Sequence, residues 1–174
     1  MNISIYIATS ANGCISNSRN VPDWLSPEYG GGFYNICLKK KAVIMGRKTY
    51  DILAPDNLPL KDDGITVVMT SKTDVQPPNP TVVFTSDSPK EIVSMLQEKG
   101  FSEAVIVGGT TVMSEFVNAK LVNDMFMVVE PVLFGGGLPL IKDVGFDCKL
   151  KLIDSTKLNN DTIQLHYQIV ESSK

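Results

Sequence analysis

Short apolar runs recur along the chain at Ile3 to Ala8, Ala42 to Met45, Ile65 to Met69, Thr81 to Phe84, Ala104 to Val107, Met125 to Val129, Leu150 to Asp154 and Thr162 to Val170. Rich in β-branched residues and bounded by turn formers, they predict strands. Several are almost wholly apolar, which suits interior strands covered on both faces in a largely parallel sheet. The last differs: Ile163, Leu165, Tyr167 and Ile169 alternate with polar residues and predict an antiparallel closing strand.

Between the strands, helices are predicted at about Pro27 to Lys40, Thr49 to Leu53, Ser88 to Lys99 and Thr111 to Val117. The third is the best punctuated. Ser88 supplies an N-cap, Pro89 takes the first helical position, Glu91 places an acid early, and Gly100 follows Lys99 as a stop. This alternation of helix and strand predicts an α/β layered domain that ends in a strand hairpin. With 174 residues, residues 1–174 form one domain with one good-sized core. Pro77, Pro78 and Pro80 mark a surface turn and Asp56 to Gly64 a polar loop, neither long enough to be a domain linker.

Charge narrows the partners. The formal net charge is -3, with 16 Lys+Arg against 19 Asp+Glu, so nothing sequence-wide draws the chain to nucleic acid. Cys14, Cys37 and Cys148 lie far apart, without zinc spacing, and their odd number suits no disulfide framework. With the single histidine, His166, expected as a satisfied residue near the sheet edge, no metal is expected. The start of the chain has no basic leader, and no apolar run approaches the roughly 20 residues of a membrane span. A cytoplasmic location and no membrane partner are the expectation.

Two strand ends carry candidate chemistry. Val43 to Met45 runs into Gly46, Arg47, Lys48 and Thr49, which puts two cations and a hydroxyl at a helix start. Free backbone N–H groups and the helix dipole favour an anion there, although a solvated basic turn explains two adjacent cations equally well. Val105 to Val107 runs into Gly108, Gly109, Thr110, Thr111 and Val112. The glycines let backbone approach a ligand closely, and a pyrophosphate fits physically. The spacing is neither the dinucleotide fingerprint nor a P-loop. Thr70, Ser71 and Lys72 follow a third strand and, with Arg47, could bracket the phosphate that distinguishes NADPH from NADH.

The ordered set of Ile7 to Gly13, Asp23-Trp24-Leu25, Val43 to Tyr50, Val105 to Thr111 and Pro131 to Leu140 resembles the dihydrofolate reductase superfamily. It is most similar to small stand-alone proteins of the kind of the riboflavin-biosynthesis reductase (RibD C-terminal) domain. The resemblance spans nearly the whole chain. It implies a three-layer fold with a central mixed, mainly parallel sheet of about eight strands flanked by helices, and NADPH across the carboxyl ends of the strands. It also implies roles. Ala8, Thr9 and Ile15 would line the nicotinamide, and Gly46, Arg47, Lys48 and Thr49 would hold phosphates. Thr70, Ser71 and Lys72 would flank the 2′-phosphate, and Val107, Gly108, Gly109, Thr110, Thr111 and Val112 would wrap the pyrophosphate. Trp24, Tyr29 and Phe33 would face the substrate. A homodimer through the sheet edge and carboxyl-terminal strands is implied as well, with Phe134 to Pro139 either folding over the cofactor or shaping that contact.

Departures from the resemblance bear on the substrate. A folate enzyme would place a carboxylate near Glu28 or Tyr29, a hydroxyl at about Val128, and an arginine near Gly64 or Ile65, with only Lys61 close by. Loss of a bidentate arginine weakens the case for dihydrofolate. The riboflavin-pathway pattern is also imperfect, since Asn12-Gly13-Cys14 stands where Asp-Gly and a basic residue are usual. The expected activity is therefore NADPH-dependent reduction of a small pterin, pyrimidine or ribosylaminopyrimidine-like compound. Dihydrofolate reductase proper and a non-catalytic NADPH-binding or sensing protein are the alternatives. Glu28 is the candidate proton donor, with water as the other source; an acid at a helix start is also favourable on dipole grounds alone. A nucleotide hydrolase is disfavoured by the missing P-loop lysine and magnesium-binding acids.

Overall fold

The chain is described by a computed structural model covering residues 1–170, except 54–56, 59, 61–63, 73, 75, 78, 143, 144 and 146. Lys61, Pro78 and most of the loop read as Asp56 to Gly64 lie outside the described residues. The elements are β1 (Asn2–Ser10), β2 (Cys14–Asn17), α1 (Pro27–Lys40), β3 (Ala42–Gly46), α2 (Arg47–Leu53), β4 (Ile65–Met69) and β5 (Val82–Thr85). There follow α3 (Pro89–Glu98), β6 (Glu103–Ile106), α4 (Thr110–Asn118), β7 (Asp124–Glu130), β8 (Gly137–Pro139), β9 (Lys149–Lys157) and β10 (Ile163–Val170).

Eight strands form one sheet in the order β5-β4-β3-β6-β1-β7-β10-β9. Every pairing from β5 to β7 is parallel, and β10 runs antiparallel to both β7 and β9. The mixed, mainly parallel sheet is thus as the sequence pattern implies, with one difference at its end. The alternating strand β10 does not close the sheet; it lies between β7 and β9, and β9 is the edge. Composition alone does not separate the two positions, because both strands of a terminal hairpin have one polar face.

The pleat of the central strands explains their continuous apolar character. Ala42 and Ile44 enter one core with Ile92, Leu96, Met113 and Phe116 of α3 and α4. Val43 and Met45 enter the other with Tyr29, Phe33, Cys37 and Tyr50 of α1 and α2. Residues 42–45 are all fully buried, as a strand with a helix layer on each face requires.

Local signals set the helix ends. Ser88 caps α3 in a capping box in which its hydroxyl accepts from Glu91 N while the Glu91 carboxylate accepts from Ser88 N at 2.8 Å. Gly100 follows with φ 86°. In α1, Ser26 is the N-cap, Pro27 opens the helix, and Lys41 closes it in the left-handed region. Three glycines, Gly30 to Gly32, sit inside α1, where each costs about 0.5–1 kcal/mol relative to alanine. Gly32 has a packing reason: a Cβ there would lie 2.1 Å from Tyr6 Oη.

Two short strands escaped the sequence pattern. β2 and β8 pair antiparallel as a separate ribbon. Gly137 is required in it, since a Cβ would come 2.0 Å from Ser16 O. Among the described residues no helix is long and apolar enough to cross a membrane, and no cluster of potential metal ligands occurs. His166 sits on β10 with Nε2 2.9 Å from Asp124 Oδ1 and its ring stacked on Phe126 at 4.2 Å.

Candidate functional site

Because β1 and β3 to β6 run parallel, their carboxyl ends gather on one edge of the sheet, where loops diverge and leave a crevice. A cleft of about 1670 Å³ opens there. Ala8, Gly46, Met69, Thr85 and Val107 bring the five strand ends to it. The structure brings most of the sequence-predicted residues together on this cleft: Ala8, Ile15, Trp24, Tyr29, Phe33, Gly46 to Thr49, Thr70, Ser71 and Val107 to Val112 all line it. Three do not. Thr9 is buried in the sheet and Lys72 is exposed. Glu28 is exposed, and its Oε2 accepts from Asn159 Nδ2 at 2.9 Å on the turn between β9 and β10.

The two glycine turns touch. Gly46 N donates to Gly108 O at 3.1 Å. An added Cβ at Gly108 would approach Thr49 Oγ1 to 3.1 Å, and one at Gly46 would approach Val112 Cγ2 to 3.3 Å. Gly109, with φ 87°, occupies the N-cap of α4 and offers no side-chain cap. The first-turn N–H groups of α4 are therefore free of a side-chain acceptor and border the cleft, the local chemistry of an anion site.

Arg47 completes that end. Its guanidinium lies 5.0 Å from the Phe84 ring centroid and 5.9 Å from that of Tyr50, while Nε donates to Asp51 Oδ1 at 2.7 Å. Its Nη1 is buried and has no hydrogen-bond partner among the described residues. An unpaired guanidinium nitrogen inside a protein is costly, and a phosphate oxygen is the acceptor that suits its geometry. On these observations the residues present fit the phosphates of a dinucleotide.

Another part of the cleft lining is a different surface. Trp24, Leu25, Tyr29, Gly30, Phe33 and Tyr34 form an uncharged, largely aromatic wall from α1 and the segment before it. Tyr29 stacks on Tyr6 with centroids 5.3 Å apart. Burial first, and the neighbouring Tyr6 second, push the Tyr29 hydroxyl well above the usual phenol range. At neutral pH it stays a neutral hydrogen-bond donor. Glu130, 1% exposed, anchors this wall from behind. Its Oε1 accepts from Ser26 N at 2.9 Å and Ser26 Oγ at 2.7 Å, and its Oε2 accepts from Thr162 Oγ1 at 3.0 Å.

The segment Phe134 to Pro139 reaches the same site. Phe134 packs edge-on against Trp24 at 5.1 Å, Leu138 and Pro139 line the cleft, and Thr110 Oγ1 donates to Pro139 O at 2.6 Å. Leu138 and Pro139 thus border the cleft, as folding over a cofactor would require. Sequence reasoning missed the cleft residues Asp87 to Glu91, at the end of β5 and the start of α3. The strand-to-helix rule applied to the other two turns would have found them. Asn20, Gly30 and Tyr34 also line the cleft and had no comparable local signal.

Comparison with known proteins agrees with this architecture. The solved structure of a putative riboflavin biosynthesis protein from Shewanella sp. PV-4 superposes with a TM-score of 0.80 at 22% identity, covering 98% of this chain and all of that one. The YwjB protein of Bacillus subtilis strain 168 is 28% identical over 169 residues, 94% of this chain and 95% of its own. The dihydrofolate reductase of Buchnera aphidicola subsp. Baizongia pistaciae is 30% identical over 119 residues, 68% of this chain and 66% of its own. The RibD C-terminal domain family matches residues 2–164, and the chain belongs to that family.

Proposed function

We propose that the protein is an NADPH-dependent reductase acting on a small pterin, pyrimidine or ribosylaminopyrimidine-like substrate. The observation that carries the cofactor half is Arg47, stacked on Phe84 with a buried and unpaired Nη1 at the phosphate end of the cleft. In this reading Ala8 and Ile15 border the nicotinamide, the glycine turns and the first turn of α4 hold the pyrophosphate, and Arg47, Thr70 and Ser71 take the 2′-phosphate. Bound NADPH supplies the hydride. The protein's own contribution is position: the wall of Trp24, Tyr29 and Phe33 would hold a flat ring against the nicotinamide site. That wall carries no carboxylate, so we expect the accompanying proton to come from solvent through the open cleft. Glu28 could deliver it only after leaving Asn159, and Glu28→Gln with unchanged turnover is the expected result.

Dihydrofolate reductase proper is the second reading, favoured by the 30% identity to the Buchnera enzyme. Against it, the position expected to carry a helping hydroxyl is Val128, fully buried and without one. Dihydrofolate belongs in the substrate panel for this reason.

The test is titration of the purified protein with NADPH and separately with NADH, followed by Trp24 quenching and nicotinamide fluorescence, then by cofactor oxidation with the panel. NADPH is expected to bind more tightly, and Arg47→Ala to weaken it by about tenfold or more, the value of a charge-assisted hydrogen bond. NADH binding should change less. Absence of binding by either cofactor overturns the reductase reading.

A further inference from the structure

The glycines of α1 do not share one explanation. Gly32 yields to the Tyr6 hydroxyl, but a Cβ at Gly30 or at Gly31 would meet nothing within 4 Å. Neither is forced by packing or by backbone conformation, and glycine inside a helix is unfavourable without such a reason. Their surroundings differ. Gly31 is exposed and lies off the cleft, whereas Gly30 lines it. Phe33 and Tyr34, three and four residues on, share the helix face of Gly30 and line the cleft with it.

We propose that Gly30 is a specificity-determining position. Its bare backbone leaves a slot along the aromatic wall that any side chain would narrow. The slot admits a flat, uncharged ring system broader than a single six-membered ring, edged by Phe33 and Tyr34. Because the wall offers aromatic and aliphatic surface without charge, the portion of substrate lying there is neutral and conjugated. This rests on the substrate side of the cleft assigned under Proposed function.

The experiment compares Gly30→Leu and Gly30→Ala with Gly31→Leu and Gly31→Ala. Affinity is measured by calorimetry for pterin as a two-ring probe, 5,6-diaminouracil as a one-ring probe, and NADPH separately. Pterin is expected to bind the unmodified protein more tightly than the uracil. Gly30→Leu should weaken pterin by about tenfold or more, the usual effect of filling a packed site. Uracil and NADPH affinities should move by less than about threefold, and Gly31→Leu should change none of them. Both alanine variants should raise the melting temperature, since alanine favours the helix. Gly30→Ala should still weaken pterin, which guards against a leucine variant that fails to fold. Equal losses at positions 30 and 31, unchanged pterin affinity in Gly30→Leu, or no pterin binding by the unmodified protein overturns the proposal. Loss confined to NADPH binding in the unmodified protein would instead sink the cofactor assignment and leave the pterin comparison standing.

Discussion

The side-chain amide of Asn12 holds the main chain of Phe134 in both directions, with Nδ2 donating to Phe134 O at 2.8 Å and Oδ1 accepting from Phe134 N at 3.1 Å. The same Oδ1 accepts from Ser10 Oγ at 2.8 Å. Only an amide can serve a carbonyl and an N–H together; aspartate would place a carboxylate against the Phe134 carbonyl. This gives the asparagine at position 12 a structural role. Phe134 in turn packs on Trp24, so the clamp sets one border of the cleft.

Asn12→Asp should therefore lose the bond to Phe134 O and cost about 1–2 kcal/mol of stability. It should also change Trp24 fluorescence, because the ring against that indole is released. Denaturant titration followed by fluorescence reads both effects. Unchanged stability and spectrum would show that the segment is held by the β2–β8 ribbon alone.

Glu130 is a buried carboxylate whose partners come from the cap of α1 and from Thr162 before β10. Glu130→Gln keeps the shape but sets an amide where acceptors are needed, leaving a buried group unsatisfied. A loss of about 2–3 kcal/mol is expected, with weakened binding on the aromatic wall and NADPH affinity nearly unchanged. Urea unfolding together with the two titrations would separate these outcomes.

Alkaline stability depends on buried acids, Cys37 and Tyr6 together with Tyr29, whose hydroxyl is also pushed up by burial. Burial pushes the Cys37 thiol from its ordinary 9.0 to about 12, and burial, then Cys37 and Glu130, raise Tyr6 from 10.0 to about 12. The unfolded chain ionises first, so it binds fewer protons than the native chain between the two values. The stabilisation is complete below about pH 9 and is lost as pH rises towards about 12. Each group contributes a slope of up to about 1.4 kcal/mol per pH unit within its window. Cys37→Ala should flatten the slope most between pH 9 and 10, where the buried tyrosines, ordinarily at 10.0, contribute less than the thiol. At neutral pH, Ellman's reagent should spare Cys37 in the native state and react with the partly exposed Cys14 and Cys148.

β9 is a nine-residue sheet edge with Leu150, Leu152 and Ile153 exposed by 43%, 52% and 48%. An edge of this length and apolar character invites another strand. We expect a second copy of the chain to cover it, giving a homodimer. Light scattering on the unmodified protein should report two chains, and Leu152→Lys should shift the particle towards one. A monomer at micromolar concentration would remove this expectation.

What the sequence determined by itself is what neighbours along the chain decide. The eight main strands follow from runs of apolar and β-branched residues, the start of α1 from Ser26 and Pro27, and the ends of α3 from Ser88, Pro89 and Gly100. The glycine turns at Gly46 and Gly108 were legible because a strand ending in glycine at a helix start carries its chemistry within a few residues. Tertiary structure alone decided contacts between distant segments. Asn12 meets Phe134 across 122 positions, and Glu28 meets Asn159 across 131, which takes that carboxylate off the cleft. The ribbon of β2 and β8, the burial of Glu130 and the opening of Gly30 onto the cleft also depend on which segments the sheet order brings together. Hydrophobic periodicity states that a face will be buried; only the assembled sheet states against what.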